Sequence, residues 1–158
     1  MDDKINLGRF CEELVRKEII KRAKYDVVNL NDIRNNYPVV DLKVTNLKTN
    51  ISYEVSVKAK IGNTWPAVKG IRNANQFIVF VDYSENKKPS FYILSYLEWI
   101  NTLKNIKPQR DKGSKIINGA LEWNWGEDGV PKKFRGSRLC PEDIIQFKSC
   151  WKILPGCK

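Results

Sequence analysis

The sequence predicts a mixed α/β domain in which helices flank a central β-sheet. An apolar arc at helical spacing from about residue 5 to 24 predicts an amphipathic helix. Two β-rich segments, 38–44 and 53–60, are separated by the turn-forming residues 46–50 and predict a hairpin. A nearly continuous apolar run at 76–81 is typical of a strand covered on both faces. This order of elements indicates a mixed sheet with flanking helices.

Shorter signals predict the remaining elements. Pro66 suits the first position of a short helix at 65–71. Ser95 and Glu98 have the spacing of a capping box that opens a helix reaching about residue 104. Pro141 and two acids favour a final helix ending near residue 150. The other expected elements are strands at 25–30, 90–94 and 120–125, a basic surface loop at 104–115 and a turn-rich stretch at 126–136.

The length and composition fit one folded domain. A chain of 158 residues is long enough for a sizeable core, and 42% hydrophobic residues with five tryptophans exclude general disorder. We assign residues 1–158 to a single domain, with a core at about 5–106 and a basic loop and C-terminal extension at about 107–158. There is no transmembrane run and no signal peptide, so we expect a cytoplasmic protein with no membrane partner.

Charge and the lack of histidine limit the chemistry. The chain has 28 basic and 18 acidic residues, a formal charge of +10 that favours a nucleic acid as partner. The alternative is a basic surface that serves only solubility. Without histidine, Ser-His and Cys-His sites and His-ligated zinc or iron centres cannot be built by this chain alone. The four cysteines lack paired C-x-x-C spacing and are interpreted as ordinary thiols. A metal site would use oxygen ligands, which suits Mg²⁺ or Mn²⁺.

Alternation in the predicted hairpin separates apolar from polar side chains. The polar face carries Asp41 and Lys43 on the first strand, and Glu54, Ser56, Lys58 and Lys60 on the second. Asp41 and Lys58 can therefore lie side by side opposite an apolar core. In phosphodiester hydrolysis carboxylates hold a divalent metal, and a nearby lysine stabilises the charge that develops. The alternative is an exposed strand face with alternating charges, which is common.

The arrangement resembles the PD-(D/E)xK nuclease superfamily, which has the restriction-endonuclease-like fold. The matching residues are G-x-x-x-E from Gly8 to Glu12, P-V-V-D ending at Asp41, and S-V-K from Ser56 to Lys58, within about residues 8–104. The resemblance implies that Glu12 and Asp41 are metal ligands and that Lys58 is the catalytic lysine. It implies hydrolysis of DNA with Mg²⁺ or Mn²⁺, and RNA is not excluded. Many enzymes of this fold dimerise, so the resemblance also allows a homodimer.

Ser56 departs from the superfamily pattern, which has an acid at this position or, in some branches, Gln. A hydroxyl is a weaker and neutral metal ligand, so Ser56 completes the candidate catalytic set only in part. Glu54, on the same face, either substitutes for the missing acid or pairs with Lys58. The sequence therefore leaves open whether the chain is an endonuclease. The alternative is a catalytically degraded module of the same fold that binds nucleic acid or another protein.

Basic residues outside the hairpin are candidates for contacts with the nucleic-acid backbone, because phosphate contacts supply most non-specific affinity. Solvated basic loops are the competing interpretation. Trp65 is expected to pack on the sheet rather than stack on a base. The candidate nucleic-acid-binding residues are Lys60, Lys104, Lys107, Arg110, Lys112, Lys115, Lys132, Lys133, Arg135 and Arg138.

Overall fold

A five-stranded mixed sheet forms the centre of the fold. The computed structural model describes residues 2–34, 37–84, 88–110, 112–125 and 132–158. The helices are α1 (Asp2–Ala23) and α2 (Tyr96–Arg110). The strands are β1 (Asp26–Asn29), β2 (Leu42–Thr45), β3 (Ser52–Lys60), β4 (Trp65–Val68), β5 (Gln76–Asp82), β6 (Ser90–Ser95), β7 (Lys115–Ile117), β8 (Ala120–Trp125), β9 (Lys132–Arg135) and β10 (Ser137–Leu139).

The central sheet has the strand order β1-β2-β3-β5-β6. β3 and β5 are parallel, and the other neighbouring pairs are antiparallel. The predicted mixed α/β architecture is thus confirmed. The expected hairpin is formed by β2 and β3, with Leu42 opposite Val55. Its turn is closed by a hydrogen bond from the backbone N–H of Asn46 to the carbonyl of Ile51 at 2.9 Å.

Two apolar clusters cover the two faces of this sheet. On one face α1 packs against the strands through Cys11, Val15 and Ile19, all fully buried. On the other face α2 contributes Trp99 and Leu103. The interior residues of β5 alternate between the two clusters and are all buried, which explains the unbroken apolar run in its sequence.

Four predicted elements differ from the structure. In the expected turn-rich stretch 126–136, Lys132–Arg135 form strand β9, while 126–131 lie outside the described residues. Residues 65–68 form strand β4 rather than a helix, because β10 supplies an antiparallel partner and both Trp65 and Val68 are buried. Helix α2 continues past residue 104 to Arg110, so the first half of the expected basic loop is helical. The final helix is a kinked 3₁₀ segment, Pro141–Phe147, in which Ile144 leaves helical geometry and is fully buried.

The C-terminal strands pack closely against the segment that follows β4. Gly119 has a φ of +72°, and a Cβ there would collide with the backbone of Ile71. The Trp99 indole N–H donates to the Gly119 carbonyl at 2.7 Å, which fixes this approach. A Cβ on Gly136 would likewise crowd the backbone of Ala67 on β4. The extension is therefore joined to the core by backbone contacts that require glycine.

Neither helix in the described part of the chain combines the length and apolarity needed to cross a lipid bilayer.

Candidate functional site

Two carboxylates meet at one amide group near the ends of β1 and β2. Glu12, on the face of α1 that packs against the sheet, is only 8% exposed. The Asn31 side-chain amide donates to Glu12 Oε1 at 3.2 Å and to Asp41 Oδ1 at 3.3 Å. Glu12 Oε1 and Asp41 Oδ1 therefore share one donor nitrogen, which holds the two carboxylate oxygens near each other. Asn29 donates a further hydrogen bond to Glu12 Oε2 at 2.9 Å.

A short turn after β1 orients the Asn31 amide. The Asn29 side-chain oxygen accepts from the Asn31 backbone N–H at 3.0 Å and caps the 3₁₀ turn Leu30–Asp32. The Asn31 side-chain oxygen accepts from the Tyr37 backbone N–H at 2.8 Å. Since this oxygen faces Tyr37, the amino group of the same amide faces the carboxylates.

Asp41 joins the site to the sheet. Its backbone N–H donates to Val55 and its carbonyl accepts from Leu30, which links β3 to the end of β1. Its carboxylate Oδ2 accepts from the Val57 N–H at 2.6 Å, so the side chain extends the ladder beyond the end of β2. One carboxylate oxygen is thus committed to the strand, and the other faces Asn31 and Glu12.

The turn before Asp41 has a strained backbone. Val39 has a φ of +75°, and the Val40 N–H donates to the Pro38 carbonyl at 3.0 Å. A positive φ at the centre of an i→i+2 hydrogen bond is the mark of the rarer γ-turn, and it is costly for a β-branched residue. This strain lies two residues from the Asp41 carboxylate.

Burial raises the pKa of Glu12 above its ordinary value of 4.5, and the negative charge of Asp41 adds to that rise. The hydrogen bonds from Asn29 and Asn31 and the charge of Arg9 oppose the rise without cancelling it. Arg9 lies 3.8 Å from Glu12 Oε2 and forms a closer pair with Asp32 at 2.9 Å. Loss of water around two adjacent carboxylates is thus offset in part by amide donors.

Ser56 lies on the same sheet face as Lys58 and is fully buried. Continuing the β2–β3 register by one residue places Asp41 opposite Ser56. Within the described residues, the Ser56 hydroxyl oxygen has no hydrogen-bond partner. Glu54 forms no ion pair with Lys58 in the described part of the chain, and its carboxylate Oε2 accepts from Gln76 Nε2 at 2.9 Å.

A cavity of about 330 Å³ opens beside Asp41 and Lys58. The Lys58 side chain is half-buried, and its ammonium has no hydrogen bond or ion pair to any residue that the structure describes. Four cationic side chains and a single carboxylate line the cavity, which favours an anionic ligand. Its lining residues are Tyr37, Val39, Asp41, Lys58, Lys69, Gly70, Arg72 and Arg135.

Some of the other basic candidates form ion pairs within the described part of the protein, and others are exposed to solvent. Lys60 is 4% exposed, lies over the Trp65 ring and pairs with Asp82 at 2.7 Å, so its ammonium is used inside the protein. Trp65 is 1% exposed and packs on the sheet, as expected. Arg110 pairs with Asp143, and Lys133 and Arg135 share Glu122. Lys104, Lys112, Lys115 and Arg138 are exposed, Lys107 is half-buried, and the Lys132 side chain lies outside the described residues.

Four residues at the site were missed from the sequence. Asn29 and Asn31 follow the apolar residues of β1 as an N-x-N pattern, which is the one signal that could have indicated side-chain donors at a strand end. Lys69 and Arg72 gave no such signal, because Lys69 lay in the predicted helix 65–71 and Arg72 directly followed it, outside any predicted element. Their position follows from the path of the chain between β4 and β5.

The donor set suits a single hard cation only in a water-rich form. In the described part of the chain, no group of three or more Cys, Asp or Glu side chains is arranged to hold a metal. Mg²⁺, however, commonly binds through one or two carboxylates and completes its shell with water and substrate phosphate. The convergence of Glu12 and Asp41, with an unsatisfied Ser56 hydroxyl on the same hairpin, fits that requirement.

Comparison with family models, with curated proteins and with solved structures gave no significant match.

Proposed function

We propose that this protein is a PD-(D/E)xK-like nuclease that hydrolyses DNA phosphodiester bonds with Mg²⁺ or Mn²⁺. The observation that carries the proposal is the convergence of the Glu12 and Asp41 carboxylates on the Asn31 amide. Beside them, Lys58 presents an ammonium with no counter-ion among the described residues to a cavity rich in positive charge. Two neighbouring acids, of which Asp41 lines the cavity, and a cationic group at the same cavity are the minimum for this reaction.

The sheet topology gives further support. A restriction-endonuclease-like assignment needs a helix carrying one acid, a hairpin carrying the other acid and the lysine, and a following strand covered on both faces. Helix α1, the β2–β3 hairpin and β5 occur in that order, and β5 lies parallel to β3. The extension beyond α2 adds the cavity residue Arg135.

Each residue has a definite role in the proposed reaction. Glu12, Asp41 and the Ser56 hydroxyl would hold the cation, and the Asn31 amide would move away from between the two carboxylates. The cation, when bound, polarises the phosphate and lowers the pKa of a water molecule. Lys58 stabilises the negative charge that grows on the phosphate oxygens as the P–O bond breaks.

The decisive test is cleavage of labelled DNA oligonucleotides, single-stranded and duplex, during a titration with Mn²⁺. Asp41→Asn keeps an acceptor for the Val57 N–H but removes the charge, and Lys58→Ala removes the cation. We expect each to lower the rate by about 100-fold or more. Lys48→Ala, in the exposed β2–β3 turn, is the matched control and should cleave like wild type. Equal rates in all four proteins, or no cleavage at any Mn²⁺ concentration, would remove the nuclease proposal.

A second function is a DNA-binding module of the same fold that no longer cleaves. Ser56 favours it, because a neutral hydroxyl stands where a third ligand charge is expected. The Asn31 amide favours it too, since it already satisfies both carboxylates. Salt-sensitive binding without metal-dependent cleavage would select this function. A gain of cleavage in a Ser56→Asp variant would then indicate that the site was lost through this one residue.

A further inference from the structure

The cavity beside Lys58 has more positive charge than one scissile phosphate requires. Lys58 lies on β3, Lys69 and Arg72 lie on the segment after β4, and none of the three forms an ion pair within the described residues. Arg135 donates to the Asn118 carbonyl at 2.8 Å and lies 3.9 Å from a Glu122 oxygen, and it shares that one carboxylate with Lys133. Asp41 alone cannot neutralise this group, which favours more than one phosphate of a polynucleotide backbone.

The backbone segment that carries Lys69 and Arg72 is held in place by close packing. Gly70 fits against Trp99 and Gly119 so closely that a Cβ would collide with both. The Arg72 backbone N–H donates to Gln76 Oε1 at 2.8 Å, and the intervening Ile71 is fully buried. Positions fixed in advance lose little entropy when a ligand binds, as expected of a binding surface.

The size and lining of the cavity favour a single nucleotide unit. A volume of about 330 Å³ is near the lower limit of small-molecule sites. A base inside a duplex is stacked on its neighbours and would have to be extruded to enter such a space. Tyr37, 37% exposed, lines the same cavity and is anchored through its backbone to Asn31. An aromatic platform beside a cationic groove is the common way to bind single strands.

We propose that the substrate of this site is a single-stranded nucleic acid, with one base stacked on Tyr37 and the adjoining phosphates bound by Lys58, Lys69, Arg72 and Arg135. This inference rests on the proposed function, because it names the substrate of the same site.

The test is fluorescence anisotropy of a labelled oligothymidine, alone and in a duplex with oligoadenosine, in EDTA so that no cleavage occurs. We expect tighter binding of the single strand. Tyr37→Ala should weaken it by about 5- to 100-fold, while Tyr37→Phe, which keeps the ring, should bind like wild type. Lys69→Ala with Arg72→Ala should lower the slope of log K against log salt by about 1.4, and Lys48→Ala should leave the slope unchanged.

Equal affinity for single strand and duplex, or wild-type binding by either Tyr37→Ala or the double lysine–arginine variant, would overturn the inference. These outcomes are separate from the nuclease test. Cleavage of DNA by a protein whose binding ignores Tyr37 sinks the inference and leaves the proposed function. Single-strand binding that depends on Tyr37, with no cleavage in Mn²⁺, supports the inference and sinks the proposed function. All substituted side chains are at least partly exposed, and melting curves will confirm that the variants fold.

Discussion

Replacement of Asn31 by alanine should lower the stability of the metal-free protein and raise its affinity for Mn²⁺. The change removes two hydrogen bonds to carboxylates, at 3.2 and 3.3 Å, and one accepted from the Tyr37 N–H at 2.8 Å. The first two are long, so we assign about 1 kcal/mol to each of the three, or about 2 to 3 kcal/mol in total. For a chain of this length the melting temperature should fall by about 4 to 12 °C.

Mn²⁺ should then stabilise the variant more than the wild type. In the wild type a cation between Glu12 and Asp41 must first displace the Asn31 amide, which costs the two hydrogen bonds to the carboxylates. A cost of about 2 kcal/mol corresponds to at least tenfold weaker binding. Melting temperatures measured across a Mn²⁺ titration should therefore give an apparent Kd about tenfold lower or more for Asn31→Ala.

Asn46→Ala is the matched control for this experiment. Asn46 lies in the β2–β3 turn, donates to the Tyr25 hydroxyl at 3.1 Å and accepts from the Lys48 backbone N–H at 2.9 Å, so its loss destabilises the protein without touching Glu12, Asp41 or Asn31. This variant should lose stability yet respond to Mn²⁺ like the wild type. If Asn31→Ala gains no more from Mn²⁺ than the wild type and Asn46→Ala do, the two carboxylates do not form a common cation site.

Two further substitutions test the scaffold. Asp82→Asn leaves the buried Lys60 ammonium without a counter-ion and should lower the free energy of unfolding at pH 7 by about 3 to 5 kcal/mol in urea. Burial would raise the pKa of Asp82, but hydrogen bonds from Lys60 and Ser84 outweigh it and hold that pKa below 3.8. The contribution of Asp82 is thus present above pH 3.8 and lost as pH falls through the lower folded pKa, so the difference between the two proteins should narrow in acid. A constant difference down to pH 2 would contradict this account. Gly119→Ala should cost at least about 2 kcal/mol because of its positive φ and the contact with Ile71, whereas Gly8→Ala in open space on α1 should add about 0.5 to 1 kcal/mol. Similar effects at the two glycines would refute the close approach.

Sequence patterns of neighbouring residues were sufficient to predict the β2–β3 hairpin and strand β5. Alternation with a turn between predicted the β2–β3 hairpin, since a one-residue slip would expose Val55 and Val57. The unbroken apolar run of β5 predicted a strand covered on both faces. The segment 65–68 could not be assigned in the same way, because its strand conformation depends on β10, a partner far along the chain.

The candidate site was predictable to a similar extent. Asp41 and Lys58 follow from the register of one hairpin, and Glu12 follows from the G-x-x-x-E match on the first predicted helix. The network around them was not accessible, because a hydrogen bond between Asn31 and two carboxylates depends on the angle at which α1 meets the sheet. Short polar side chains in a turn carry no periodic signal that would reveal such a contact.

The sequence by itself determined the α/β class, the face on which Asp41 and Lys58 lie, the serine at position 56 and the exclusion of histidine as a metal ligand. Periodicity and composition are properties of neighbouring residues, so they need no knowledge of how the chain returns on itself. Only the tertiary structure decided that Lys60 is enclosed with Asp82 and that Arg135 and Lys69 line the cavity beside Lys58. The Lys60–Asp82 pair depends on the parallel register of β3 and β5, which places the two residues opposite each other. The cavity depends on the packing of the C-terminal strands against the segment after β4, where glycines allow two backbones to touch.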